Sequence, residues 1–208
     1  RCEAARRAGQ FTSEITPIAV KSKGGETIIT ADEHARDGVT LESMLKLKPV
    51  FRDDGTVHPG NSSGITDGAA AVLVMAEETA RHHGFDVLGR IEGQAHAGVD
   101  PKYMGIGPVP ATERLMKKIG RRLSDWELIE LNEAFAAQVL ACFREWKIDA
   151  SRVNVRGGSI ALGHPIGATG ARIVVTLLHA MKDMGKATGL ATLCVSGGLG
   201  QSLAVVRD

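Results

Sequence analysis

Three short clusters in this sequence hold residues able to move protons or hold a developing charge. The first is NEAF, Asn132 to Phe135. The second is GGSIALGHPIGATGAR, Gly157 to Arg172, which contains His164. The third is CVSGGLG, Cys194 to Gly200, which contains Ser196 and Gly197. Near neutral pH a histidine can take a proton from a nucleophile. A cysteine can shuttle a proton when its pKa matches the task. Backbone N–H groups in a glycine turn can hold a developing oxyanion. A histidine, a cysteine and an asparagine, each beside flexible backbone, are a set that can serve acyl transfer.

Each residue also has a plainer reading. Asn132 fits a helix N-cap, its side chain accepting a backbone N–H. Gly163 and Gly167 let a loop turn tightly, and His164 fits a satisfied core histidine. Cys194 in an apolar strand behaves as a small buried hydrophobe. Gly197, Gly198 and Gly200 fit a hairpin turn. Cys2 and Cys142 have no polar or glycine-rich setting and are assigned to packing or surface. The glycine loop has neither a P-loop ending nor GxGxxG spacing. It does open a helix, whose N-terminus favours an anion or oxyanion. No HExxH or other metal-ligand spacing occurs, and His82-His83 reads as solvated.

Alternating strands and helices must position these clusters. RCEAARRAG reads as a helix ending at Gly9. Residues 10 to 60 read as a loop-rich excursion with strand-like runs at Ile15 to Val20 and Thr27 to Thr30. Ala69 to Met75 reads as a buried strand, and Glu77 to His83 as a helix closed by Gly84. A strand follows from Val87 towards His96, then a helix with Leu115, Met116 and Ile119, then a strand at Leu128 to Leu131. Phe135, Val139, Phe143 and Trp146 share one helical face. A helix with Ile173, Leu177, Leu178, Met181 and Met184 ends at Gly185. A hairpin through Ala191, Leu193, Val195, Leu203 and Val205 closes the chain. The pattern predicts an α/β fold, a mixed sheet covered by helices on both faces with the last hairpin antiparallel. The strand ends are where sites gather.

Composition bounds the alternatives. The 208 residues are 43% hydrophobic, enough for a core and too much for intrinsic disorder. A net charge of +1 provides no field to attract nucleic acid or an acidic membrane, and no apolar run reaches spanning length. Three widely spaced cysteines exclude a disulfide framework and fit a reducing compartment, the cytoplasm, with an organelle left open. The chain starts at Arg1 inside a helix, and further material upstream is expected.

Taken together, the three motifs resemble the thiolase family of acetyl-CoA acetyltransferases and 3-ketoacyl-CoA thiolases. The likeness extends over ADEHARDGVTLESMLKLKPVF, GTVHPGNSSGITDGAAA and DPKYMGIGPVPA, so it covers nearly the whole chain. The histidine motifs of ketoacyl synthases are not seen. The resemblance implies a layered fold of two similar core halves with a loop domain inserted in the first. Residues 1–50 then correspond to the rest of the loop domain and 51–86 to the last strand and helix of the first half. Residues 87–208 correspond to the second half, the only one complete here.

The resemblance also implies roles. A nucleophilic cysteine takes the acyl group from acyl-CoA, and His164 activates it. Cys194 moves the proton on the substrate α-carbon. His164 and a water held by Asn132 form one oxyanion hole, and backbone N–H groups near Ser196 and Gly197 a second. The expected reaction is Claisen condensation of acyl-CoA with acetyl-CoA, or CoA-dependent thiolysis in reverse. CoA thioesters are substrates and no cofactor or metal is needed. CoA contacts are expected at Arg36, Ser43, Leu47, Phe51, Ser63, Met104, Ala134 and Phe135. Arg36 can meet a phosphate and the serines can bond pantetheine amides. A homodimer or homotetramer is implied.

Three departures stand out. The segment of the nucleophile is expected upstream of Arg1, in a missing half or a partner chain. Ser196 replaces the usual glycine, so a positive φ there would be strained. Arg156 stands where a small polar residue is more usual, and outward pointing is favoured over added charge at the site. Two other readings stay open, a non-catalytic CoA-binding module and a structural subunit of a thiolase-like assembly. Retention of His164, Cys194 and Asn132 argues against the first.

Overall fold

The computed structural model describes all of residues 1–208. Its centre is a four-stranded sheet in the order β3-β6-β5-β4, with β3 at Arg90–Gly98, β4 at Leu128–Leu131, β5 at Thr188–Val195 and β6 at Leu199–Val206. β4 and β5 run parallel, and β6 is antiparallel to both its neighbours. The expected mixed sheet and terminal hairpin are therefore present.

Strand alternation sends neighbouring side chains to opposite layers. Ile129, Leu131, Leu190 and Ala204 face a core with Val109 and Leu115 of α4 (Pro108–Ile119) and Val139, Cys142 and Trp146 of α5 (Ala136–Trp146). Leu128, Ala191 and Val205 face Ile173, Leu177, Ala180 and Met181 of α7 (Thr169–Met184). The last four are one helical stripe. Every residue of β4 is buried, as a strand covered on both faces must be.

The remaining elements wrap this unit. α1 (Cys2–Arg7) buries Cys2 and Ala5 with Phe11, against Ala161 and Leu162 of a short helix α6 (Ser159–Leu162) inside the glycine loop. β1 (Ile18–Ser22) and β2 (Gly25–Ile29) form a hairpin exposed at every residue. The short α2 (Leu41–Leu45) buries nothing. α3 (Glu77–His83) ends at Gly84 with φ +66°.

Two expectations need correction. Ala69 to Met75 forms no strand and pairs with none, and Leu73 and Val74 are 77% and 66% exposed. Apolar composition favours a buried strand, but burial and pairing require neighbours that these 208 residues do not place there. Arg156 does not point outward. It is 2% exposed and donates to the Gln10 and His179 carbonyls and to the Asp183 carboxylate. It ties the loop before α6 to α7 and to the chain after α1.

Candidate active site

Parallel pairing of β4 and β5 brings two of the expected residues to one sheet edge. Leu131 lies opposite Thr192, and the Asn132 N–H donates to the Thr192 carbonyl at 3.0 Å. Cys194 follows two residues further along β5. Asn154, in the left-handed region at φ 48°, secures the β4 end: its side-chain oxygen accepts from Leu131 N–H at 2.9 Å and its amide donates to the Leu131 carbonyl at 2.8 Å.

His164 reaches this edge through the loop after α6. Its backbone N–H donates to the Gly64 carbonyl at 2.8 Å, so the segment before Ile65 carries the histidine loop. The same segment reaches the NEAF motif, where Ser63 N–H donates to the Ala134 carbonyl at 3.0 Å. Gly163 has φ +93°, and a Cβ there would lie 2.6 Å from the Thr66 side chain. Only glycine fits that position.

The ring nitrogens of His164 have distinct partners. Nδ1 lies 2.6 Å from Thr169 Oγ1, whose own proton goes to the Pro165 carbonyl at 2.9 Å. The Nδ1–H therefore donates and Nε2 carries the lone pair. Asn132 Nδ2 approaches Nε2 at 3.3 Å. Burial, and then the positive charge of Arg172, push the His164 pKa below its ordinary value of 6.5. The arrangement is a neutral imidazole with a basic nitrogen beside an amide donor, which is chemically able to serve as a general base.

Cys194 is partly buried on the face of β5 opposite Leu193, and burial raises its thiol pKa. Held as a thiol, it is a proton donor more than a thiolate nucleophile. Gly197 and Gly198 turn the hairpin at φ +80° and +88°. Ser196 lies outside the positive-φ region, so the expected strain is absent.

The residues expected to touch CoA fall in three places. Ser63, Ala134 and Phe135 are joined, Ser63 Oγ donating to the Ala134 carbonyl at 3.1 Å. The Phe51 ring meets Phe135 edge-on with centroids 6.0 Å apart, and Leu47 packs against Gly60. Met104 lies in the 3-10 stretch Pro101–Ile106, which packs on α5. Arg36 is exposed next to Asp37, whose carboxylate pairs with Arg6. The Ser43 hydroxyl belongs to the capping box of α2, accepting from the Thr40 N–H at 3.2 Å and donating to the Thr40 carbonyl at 2.7 Å. Sequence reasoning missed Thr169, Ser159 and Asn154. A histidine base needs an acceptor for its second nitrogen, and a hydroxyl five residues away at a helix start was the available signal.

Residues able to move protons lie towards the ends of parallel strands, between helical layers, in an α/β protein. The chain belongs to the thiolase family. Residues 85–207 match the family described as thiolase, C-terminal domain, and residues 1–78 match thiolase, N-terminal domain. It is 55% identical to an acetyl-CoA acetyltransferase of Pseudomonas aeruginosa over 99% of its own length and 52% of that protein's. It is 51% identical to the Paracoccus denitrificans protein of the same name, over 100% and 53% of the respective lengths. It superimposes on the Bacillus anthracis acetyl-CoA acetyltransferase crystal structure with TM-score 0.97 and 47% identity, covering 99% of this chain and 52% of that one. A human mitochondrial 3-ketoacyl-CoA thiolase in complex with CoA gives TM-score 0.91 and 43% identity over 100% and 51% of the two chains. The chain spans about half the length of the relatives it matches.

Proposed function

We propose that these residues supply the acid–base part of a thiolase active site that transfers acyl groups between CoA thioesters. The observation that carries this reading is the neutral His164 with its free Nε2 against Asn132. His164 activates a nucleophilic cysteine. Cys194 protonates or deprotonates the α-carbon, and Asn132 with His164 stabilises the thioester oxygen as charge develops. The amide groups of the 196–198 turn serve as the second oxyanion donor. Ser63, Ala134, Phe135, Phe51, Leu47 and Met104 form walls for pantetheine, with Arg36 and Ser43 towards the nucleotide end. CoA thioesters and free CoA are the small molecules this chemistry requires.

A covalent route needs a thiol free to take the acyl group. Cys2 and Cys142 are buried, and burial pushes the Cys142 pKa up to about 12. Neither suits that role, so the nucleophile comes from outside these residues, in the complete chain or a partner. A homodimer or homotetramer in the cytoplasm fits the reading. The test is CoA-dependent cleavage of acetoacetyl-CoA by the complete protein. Cleavage that disappears with His164→Ala supports the proposal, and cleavage that survives it overturns the role of His164.

A further inference from the structure

Behind Asn132 stands a buried contact that the reaction scheme does not use. Ser159 opens α6 and is 0% exposed, and Asn132 is 1% exposed. Arg172, on α7, donates from Nη2 to Ser159 Oγ at 2.7 Å. A guanidinium can only donate. The Ser159 hydroxyl therefore accepts from Arg172 and turns its own proton to Asn132 Oδ1, at 2.5 Å. Arg172 Nη1 lies 3.7 Å from the Glu130 carboxyl of β4, outside hydrogen-bond reach, so the bond to Ser159 is the one that Nη2 makes here. With Oδ1 committed, the other end of the amide faces His164 Nε2.

We propose that Ser159 is a positioning residue: clamped by Arg172, it fixes the Asn132 amide so that its NH2 faces His164 and the imidazole keeps its lone pair on Nε2. This rests on the reading of His164 as the base. The consequence is electrostatic as well as geometric. An amide NH2 facing Nε2 disfavours a proton there, whereas an amide oxygen would welcome one. Arg172, the charged group that acts on His164, pushes the same way. Without the Ser159 hydroxyl the amide can rotate, place Oδ1 against Nε2 and favour the imidazolium.

The experiment uses the complete protein as wild type, Ser159→Ala, Asn132→Ala and the double variant. Acetoacetyl-CoA thiolysis gives kcat and KM for each. The 15N resonance of His164 is followed against pH in histidine-labelled protein and assigned with His164→Asn. Ser159→Ala adds no bulk to the buried position. It is expected to lower kcat about tenfold, the worth of one buried hydrogen bond, with KM unchanged. In the Asn132→Ala background it is expected to do nothing more, because the clamp then has nothing to hold. The His164 titration moves to higher pH in Ser159→Ala. Equal losses in both backgrounds, or an unmoved titration, overturn the clamp. If no form of the complete protein cleaves acetoacetyl-CoA, the acyl-transfer reading falls, and the His164 titration alone decides the role of Ser159.

Discussion

The imidazole of His164 has one nitrogen committed to Thr169 and the other free, and the pH behaviour of the site follows from that. Burial and Arg172 lower its pKa, so the neutral form persists below pH 6.5. The acidic limb of kcat/KM for the complete enzyme is therefore expected below that pH, and a limb at or above it would contradict the assignment. In the proposed reaction Cys194 handles the second proton. Cys194→Ala is expected to reduce thiolysis by about 10²–10⁴-fold while leaving the melting temperature near that of the parent. A variant that keeps full activity would remove Cys194 from the mechanism. The residue before the base is equally constrained. Gly163→Ala would force an L-residue into φ +93° and press a methyl onto Thr66. A loss of about 1–2 kcal/mol from the backbone alone is expected in denaturant unfolding, together with lower kcat as the loop shifts. Unchanged stability would mean that the loop relaxes freely.

At the scale of elements, the core was legible because its periodicities are strong. The four buried residues of β4 and three of the α7 stripe, Ile173, Leu177 and Met181, read directly from spacing, whereas Ala180 of that stripe was not singled out and Met184, which was, is 48% exposed. The Asn132, His164 and Cys194 motifs were legible by type. What spacing could not carry was long-range pairing. Ala69 to Met75 has the composition of a strand, but strand formation depends on a neighbour. Arg156 has the composition of a surface residue, but α7 and the chain after α1 close over it. α6 is only four residues long, too short for a periodic signal. The β4–α7 junction makes a further prediction. Glu130 is buried beside Arg172, and desolvation outweighs that charge, raising its pKa to about 8 from 4.5. The folded state therefore holds a proton that the unfolded state releases near its ordinary carboxylate pKa. Stability from this group is complete below that pKa and is lost as pH rises to about 8. Glu130→Gln keeps the shape and removes the titration. Its melting temperature should fall less than the parent's between pH 5 and pH 8, and parallel slopes would show that Glu130 does not titrate in this range.

For the molecule as a whole, the distribution of apolar surface is uneven. The sheet is covered on both faces, yet Val72, Leu73 and Val74 lie open at 45%, 77% and 66%, and the β1–β2 hairpin exposes Ile18 and Ile28 at 60% and 55%. A cavity of about 850 Å³ opens between the Thr66–Ala71 segment and α7, and Glu14 and Arg172 line it. Both Glu14 carboxylate oxygens lack hydrogen-bond partners, as do Nε and Nη1 of Arg172. Buried polar atoms without partners cost free energy, and contiguous exposed apolar surface drives association. The face that includes Ala69 to Met75 thus has the character of an interface rather than of a solvated surface. The segment offers unpaired backbone groups to another strand, and the cavity offers polar groups to another set of partners. The 208-residue polypeptide purified alone is accordingly expected to bind a hydrophobic dye and to sediment as more than a monomer. The complete protein is expected to bind little dye. Replacing Leu73 by lysine should reduce self-association of the isolated polypeptide, because it places charge at the most exposed apolar position of the segment. A monodisperse, dye-silent monomer would show that this face is stable in water, and the requirement for covering residues would then be withdrawn.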